Sequence, residues 1–159
     1  MKIDISLARQ ELELRDEQGR VVRSYSVSTA KNGAGEKNGS FCTPRGRHIV
    51  RAKIGTGRPL NTVFVRRRPT GETWTPELHA KYPGRDWILT RILWLSGCEP
   101  GINRLGEVDT MRRYIYIHGS PESAEMGKPG SIGCIRMRNA DIVELFDLVP
   151  AGIPVEIRP

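Results

Sequence analysis

Apolar and polar residues alternate along the start of the chain. Lys2–Ser6 places Ile3 and Ile5 on one side, and Glu11–Leu14 repeats the pattern with Leu12 and Leu14. A two-residue period of this kind predicts half-buried β-strands. Asp16–Gly19 supplies a turn and Arg20–Ser28 returns as a third strand, so the chain opens as a β-meander. Lys31–Ser40, with three glycines and two asparagines, reads as a loop; Thr43–Gly46 reads as a turn ahead of a strand at His48–Ile54. From Gly55 the periodicity breaks. Pro59, Pro69, Pro76 and Pro83, several glycines and Trp74, with Trp87 at the edge, mark residues 55–87 as a candidate functional loop or lid. Ile88–Leu95 reads as a buried strand and Gly97–Gly106 as a loop.

Arg113–His118 gives a strong strand pattern. Ile115 and Ile117 fall on one face, with Tyr114, Tyr116 and His118 on the other. Asn139 reads as the N-cap of a helix whose apolar stripe is Ile142, Leu145, Phe146 and Val149, with Asp141 and Glu144 near its start and Pro150 ending it. Ile153–Ile157 closes the chain as a strand, and Pro154 argues for an edge position. No repeat or second hydrophobic pattern interrupts residues 1–159, which read as one mainly β domain with few helices.

Composition narrows the function classes. Hydrophobic content of 38% and charged content of 27% over 159 residues suit a globular protein with a real core. No run approaches the ~18 apolar residues of a membrane span. The N-terminal residues show no apolar segment followed by a small-residue cleavage site, so no signal peptide is read and the sequence alone points to the cytoplasm. A net charge of +7 favours anionic partners. The basic residues come as short clusters, Arg66–Arg68 and Arg112–Arg113, without interleaved aromatic platforms, which argues against nucleic acid. The three cysteines, Cys42, Cys98 and Cys134, leave at least one free thiol within the monomer. No two of Cys42, Cys98, His48 and His79 have metal-ligand spacing, so no metal or other cofactor is expected. His48 reads as a strand surface residue, His79 as exposed, and Cys42 and Cys98 as structural.

The candidate chemistry lies in His118, Gly119 and Ser120 followed by the run Ser131–Met137. A histidine ends an apolar strand, and sixteen residues on a cysteine sits in a glycine turn. Thiol-based acyl transfer needs a thiolate nucleophile and a group to take its proton. Gly133 allows a sharp turn, and the N–H groups of Gly133 and Cys134 are candidates to face a developing oxyanion. Arg136 brings positive charge near the sulfur, either favouring the thiolate or holding a substrate carboxylate. On residue chemistry alone the bland readings stand beside this one: Cys134 as a small buried hydrophobe, and His118 as a hydrogen-bonded strand-end residue.

These motifs resemble the L,D-transpeptidase catalytic domain, the YkuD-type family of peptidoglycan enzymes. The match runs from Ile117–Ser120 through Ser131–Met137, then Asn139–Asp141 and Gly152–Val155; in the first half it includes Ile5–Leu12, Tyr25–Thr29 and Thr43–Gly46. The resemblance implies mixed β-sheets in a sandwich-like arrangement with a few short helices. It implies Cys134 as nucleophile, His118 as general base and later acid, and the Gly119 carbonyl as the group fixing the imidazole tautomer. Ser131, Gly133 and Arg136 occupy the remaining matched positions, as substrate-binding or oxyanion-binding residues. Strand parity adds Tyr116 as a wall of the same pocket. The implied partners are donor and acceptor peptidoglycan stem peptides, with carbapenem-type β-lactams as inhibitors. The implied reaction releases a terminal D-alanine, forms a thioester and transfers it to an amine, giving a 3→3 cross-link. Two departures stand out. Ile132 replaces the histidine that the family usually keeps beside the sulfur, making the pocket drier and raising the thiol pKa. The family also works at the cell wall, whereas no export signal is read here. Two alternatives follow: an L,D-carboxypeptidase on the same scaffold, and a catalytically weak peptidoglycan-binding module.

Overall fold

The computed structural model describes all 159 residues. The opening meander forms as its alternation dictates: β1 (Lys2–Ser6), β2 (Glu11–Arg15) and β3 (Val21–Ser26) pair antiparallel in sequence order. Every apolar residue of β1 and β2 is buried and every polar one half-exposed. β4 (Gly46–Ile54) and the long β7 (Ile88–Gly97) form the centre of the sheet, and the chain closes with β10 (Pro154–Arg158). β10 lies between β1, to which it runs parallel, and β4, to which it runs antiparallel. It is therefore an interior strand, not the edge strand that Pro154 suggests. Pro154 is tolerated because it is the strand's first residue, where one missing donor is lost at the end of the ladder.

The stretch from 55 to 87 carries more regular structure than its sequence pattern shows. β5 (Thr62–Val65) and β6 (Arg68–Thr73) form a hairpin, followed by the short helix α1 (Pro76–Lys81). Thr75 caps α1, its hydroxyl accepting from the Leu78 N–H at 3.1 Å, and Pro76 fills the first turn. β5 pairs with the start of β7, and Trp74, Trp87, Val63 and Leu89 make a small core beneath the hairpin.

β7 also pairs with β8 (Tyr116–Gly119), and β8 with the parallel β9 (Ile135–Met137), so the sheet branches at β7. The main core joins Ile3, Ile5, Leu12 and Leu14 to Ile117, Ile135 and Met137, residues of strands that are not ladder neighbours. The sheet therefore curls over its own interior. The helix α2 (Asn139–Leu148) fills the gap with Ile142, Leu145 and Phe146. Lys53 ties the end of α2 down, its ammonium donating to the carbonyls of Phe146 at 2.6 Å and Val149 at 2.7 Å. No helix is long and apolar enough to cross a membrane.

Three local expectations change. Arg138, not Asn139, occupies the N-cap of α2, in extended backbone and without a side-chain cap. The Asn139 amide is committed elsewhere: it accepts from Thr90 Oγ1 at 2.7 Å and donates to Asn61 Oδ1 at 2.8 Å, while the Asn61 N–H donates to Thr90 Oγ1 at 3.0 Å. This closed triangle locks a bulge in β7, where Thr90 has φ 75°. His79 is half-buried, accepting from the Trp74 indole N–H at 3.1 Å.

His48 is buried, not a surface residue. Its Nδ1–H donates to Gly46 O at 3.0 Å, which leaves Nε2 to accept from the Thr110 hydroxyl at 3.0 Å. Burial pushes its pKa down to about 4. The unfolded chain, with an ordinary histidine near ~6.5, takes up the proton first as pH falls. The stabilisation is thus complete above pH ~6.5 and is lost as pH drops through about 4, a contribution of roughly 3 kcal/mol. Urea unfolding at pH 7 and pH 4.5 is expected to show this loss, and His48→Gln is expected to flatten it. An unchanged pH slope in that variant would remove His48 as the cause.

Candidate active site

β8 and β9 run parallel in the register Ile117↔Ile135, His118↔Arg136, Gly119↔Met137. Ile117, Ile135 and Met137 all enter the main core. By the two-residue period, Tyr116, His118, Cys134 and Arg136 project from the opposite face. That face is covered by the β5–β6 hairpin and the start of β7, whose Phe64 and Ile88 group with Ile92, Tyr116 and Cys134. The strand parity read from the sequence is correct from Tyr116 onward. Tyr114 lies outside the strand, exposed and at φ 56°.

Cys134 stands just before β9. The Tyr116 N–H donates to Cys134 Sγ at 3.3 Å, and the thiol donates to Tyr114 O at 3.4 Å. His118 is buried; its Nδ1–H donates to Gly119 O at 2.6 Å. A carbonyl only accepts, so the proton sits on Nδ1 and Nε2 carries the lone pair. Nε2 is buried without a hydrogen-bond partner. An orphaned buried acceptor on a histidine is a cost unless a substrate or a reacting proton meets it. Burial pushes the Cys134 thiol up to about 12 and holds the His118 imidazole below its ordinary value. The resting pair is therefore neutral thiol and neutral imidazole.

The turn before Cys134 is held from several sides. Ser131 Oγ donates to Cys134 O at 2.6 Å and accepts from the Gly133 N–H at 3.2 Å. Thr43 Oγ1 donates to Gly133 O at 2.8 Å. Gly133 has φ 136°, and a Cβ there would press on Ile115 Cδ1 and Cys42 O. Of the two turn amides singled out in the sequence, the Gly133 N–H is thus already occupied, whereas the Cys134 N–H makes no hydrogen bond within the chain. The Arg136 guanidinium is also committed, donating to Gly130 O at 3.1 Å and pairing with Asp86 at 3.3 Å. Its pull on the thiol is opposed by Asp86, which acts in the other direction.

A cavity of about 430 Å³ opens onto Cys134. Phe41, Tyr114 and Ile132 form an exposed apolar rim, and Tyr116 lies deeper in the wall. Ile132, where the resemblance leads to the expectation of a histidine, is 55% exposed. Arg66, Arg67, Arg113 and Asp86 supply the charged groups. Sequence reasoning missed Phe41, Thr43, Asp86 and Arg113 as contributors to the site. They come from separate loops, and no spacing links them to His118 or Cys134; only the Thr43–Gly46 segment carried a signal, through the resemblance. Cys42, Cys98 and Cys134 are all free, and no cluster of three metal-ligating side chains occurs.

The mainly β architecture with its mixed sheet is that of solved L,D-transpeptidases. One from Xylanimonas cellulosilytica superposes with a TM-score of 0.55 at 23% identity, covering 98% of this chain and 59% of that one. The catalytic domain of an Enterococcus faecium L,D-transpeptidase, in a form acylated by ertapenem, gives 0.54 at 19% identity, covering 98% of this chain and 95% of that one. In sequence, the Escherichia coli K12 protein named "Probable L,D-transpeptidase YbiS" is 34% identical over 108 residues, covering 65% of this chain. The chain spans 34% of the length of that relative. The family model described as the L,D-transpeptidase catalytic domain, YkuD, matches residues 1–157, and the chain belongs to this family.

Proposed function

We propose that the chain acts as a cysteine-dependent L,D-transpeptidase on peptidoglycan stem peptides. The observation that carries this reading is the disposition of His118: Nδ1–H fixed on Gly119 O, and Nε2 bare and unpartnered on the face shared with Cys134. Because thiol and imidazole rest neutral, the base takes the thiol proton as attack occurs instead of facing a preformed thiolate. Cys134 Sγ bonds to the carbonyl carbon of an L-centre–D-centre amide while its proton moves to His118 Nε2. The negative charge growing on the carbonyl oxygen is met by the free Cys134 N–H. Collapse breaks the C–N bond, and Nε2–H returns the proton to the departing D-alanine amine, leaving a thioester. An amine of a second stem peptide then attacks the thioester carbonyl and gives a proton to Nε2. The C–S bond breaks, Nε2–H returns the proton to Cys134 Sγ, and the new amide is the 3→3 cross-link. Water in place of the amine turns the same sequence into an L,D-carboxypeptidase.

The other residues take supporting parts. Ser131 and Gly133 shape the nucleophile turn, Tyr116 anchors the sulfur through its N–H, and Arg136 with Asp86 braces the entrance. The 55–87 segment serves as the cover of the site, keeping water from the thioester. A carbapenem-type β-lactam presents a strained acyl group to the same sulfur; the Enterococcus faecium domain is one that ertapenem acylates. Incubation with a carbapenem is expected to add the whole inhibitor mass to the protein, and Cys134→Ala is expected to add none. An unmodified parent chain by intact mass spectrometry sinks the proposal. Product analysis with a stem tetrapeptide and excess amine then reads transfer against hydrolysis.

A further inference from the structure

The hairpin joining β5 to β6 turns on two residues, Arg66 and Arg67, between the paired residues Val65 and Arg68. Both have left-handed backbone, φ 50° and 64°. A two-residue loop with positive φ at both positions is the geometry that Asn-Gly fills readily, and a long side chain at each position costs about 1–2 kcal/mol. The two side chains do different things. Arg67 packs over the rings of Trp94, at 4.6 Å, and Tyr114, at 4.8 Å, and donates to the Tyr116 hydroxyl at 3.0 Å, fastening the turn to the cavity wall. Arg66 lines the cavity that holds Cys134 and has neither a hydrogen bond nor a carboxylate partner in the chain. The neighbouring charges are all committed. Arg113 donates to Gly35 O, Ser40 Oγ and Cys42 O, and Asp86 is paired with Arg136.

We infer that Arg66 is a carboxylate-binding subsite, placed by the strained turn to read an acidic group of the substrate beside the apolar rim of Phe41, Tyr114 and Ile132. This rests on the acyl-transfer reading above and adds a specificity determinant to it. A planar guanidinium without a partner, beside an apolar rim in a cavity whose other charged groups are committed, suits a bidentate carboxylate better than a neutral amide. Two substrate carboxylates have the right chemistry: the terminal carboxylate of the donor's leaving residue, and the carboxylate beside the amine of an acceptor.

The test is kinetic, with Arg66→Asn, which removes the charge while tolerating left-handed backbone. In one arm a stem tetrapeptide ending in a carboxylate is compared with the same peptide ending in a carboxamide, without acceptor. In the other, a D-amino acid acceptor is compared with its amide at fixed donor. The parent is expected to prefer the carboxylate form by about tenfold or more in one arm, mainly through KM. Arg66→Asn is expected to erase that preference with an unchanged or raised thermal midpoint, and Arg66→Lys to retain part of it. A parent without preference in either arm overturns the subsite, as does an Arg66→Asn variant that keeps the preference or loses activity equally on both forms. A parent that is neither active nor acylated by a carbapenem overturns the acyl-transfer reading as well, which separates the two failures.

Discussion

Replacing His118 with alanine is expected to slow carbapenem acylation of Cys134 by about 10²–10⁴-fold, the usual contribution of a positioned general base. The pH dependence gives the sharper result. With the thiol pushed up to about 12, the thiolate at pH 7 is roughly one part in 10⁵. Unassisted attack would therefore rise about tenfold per pH unit through the neutral and alkaline range. On the proposed mechanism Nε2 takes the proton during attack, and burial, which lowers the imidazole pKa, keeps it neutral and basic at the ordinary histidine pKa. The parent rate is accordingly expected to be flat across neutral pH and to fall only on the acid side of ~6.5. His118→Ala should show the steep climb instead. His118→Gln, which keeps a polar group in the strand, separates loss of the base from loss of packing, and circular dichroism reports whether either variant folds. A thiolate absorbance near neutral pH in the parent would contradict a neutral resting pair.

The histidine and cysteine of this pair, the strand face that His118 shares with Tyr116 and the glycine turn before the cysteine were legible in the sequence, because each depends on local spacing. That the two residues meet was not, because it rests on the parallel pairing of β8 with β9. The meander was legible for the same reason: Ile3, Ile5, Leu12 and Leu14 alternate with charged residues, and nothing distant is needed to bury them. The hairpin at 62–73 was not. β5 has three successive buried residues and so no alternation, β6 is almost wholly exposed, and the turn uses two arginines in place of glycine or asparagine. His48 was misread because the Thr110 hydroxyl that justifies its burial is 62 residues away. Arg136 was read for its charge alone, since Asp86 reaches it from 50 residues upstream. Asn139 has the residue type and position of a cap, and its use in a tertiary triangle with Thr90 and Asn61 leaves no mark on local sequence.

That triangle governs the second large effect. Gly119→Ala is expected to cost about 3 kcal/mol of stability and to bring acylation close to the level of His118→Ala. A Cβ on Gly119 would run into Leu89 O, Thr90 Cβ and Asn139 Oδ1. None of the three is free to retreat. Leu89 is the register partner of Gly119 across β7 and β8, Thr90 sits in the bulge at φ 75°, and the Thr90–Asn139–Asn61 hydrogen bonds hold the bulge against the first residue of α2. The end of β8 must therefore move, carrying the Gly119 carbonyl away from His118 Nδ1. Without that acceptor the proton is free to shift to Nε2, and the base is lost although the imidazole remains. The comparison is Ser120→Ala. Ser120 is buried next door and donates to Met137 O at 2.7 Å, a bond whose loss costs about 1 kcal/mol without adding bulk against β7. Imidazole ¹⁵N shifts are expected to report the Nδ1–H tautomer in the parent and in Ser120→Ala, and a mixture in Gly119→Ala. If Gly119→Ala keeps the parent's tautomer and acylation rate, the carbonyl does not position the base. If Ser120→Ala is as slow as Gly119→Ala, the loss follows from destabilisation of β8 and not from the tautomer.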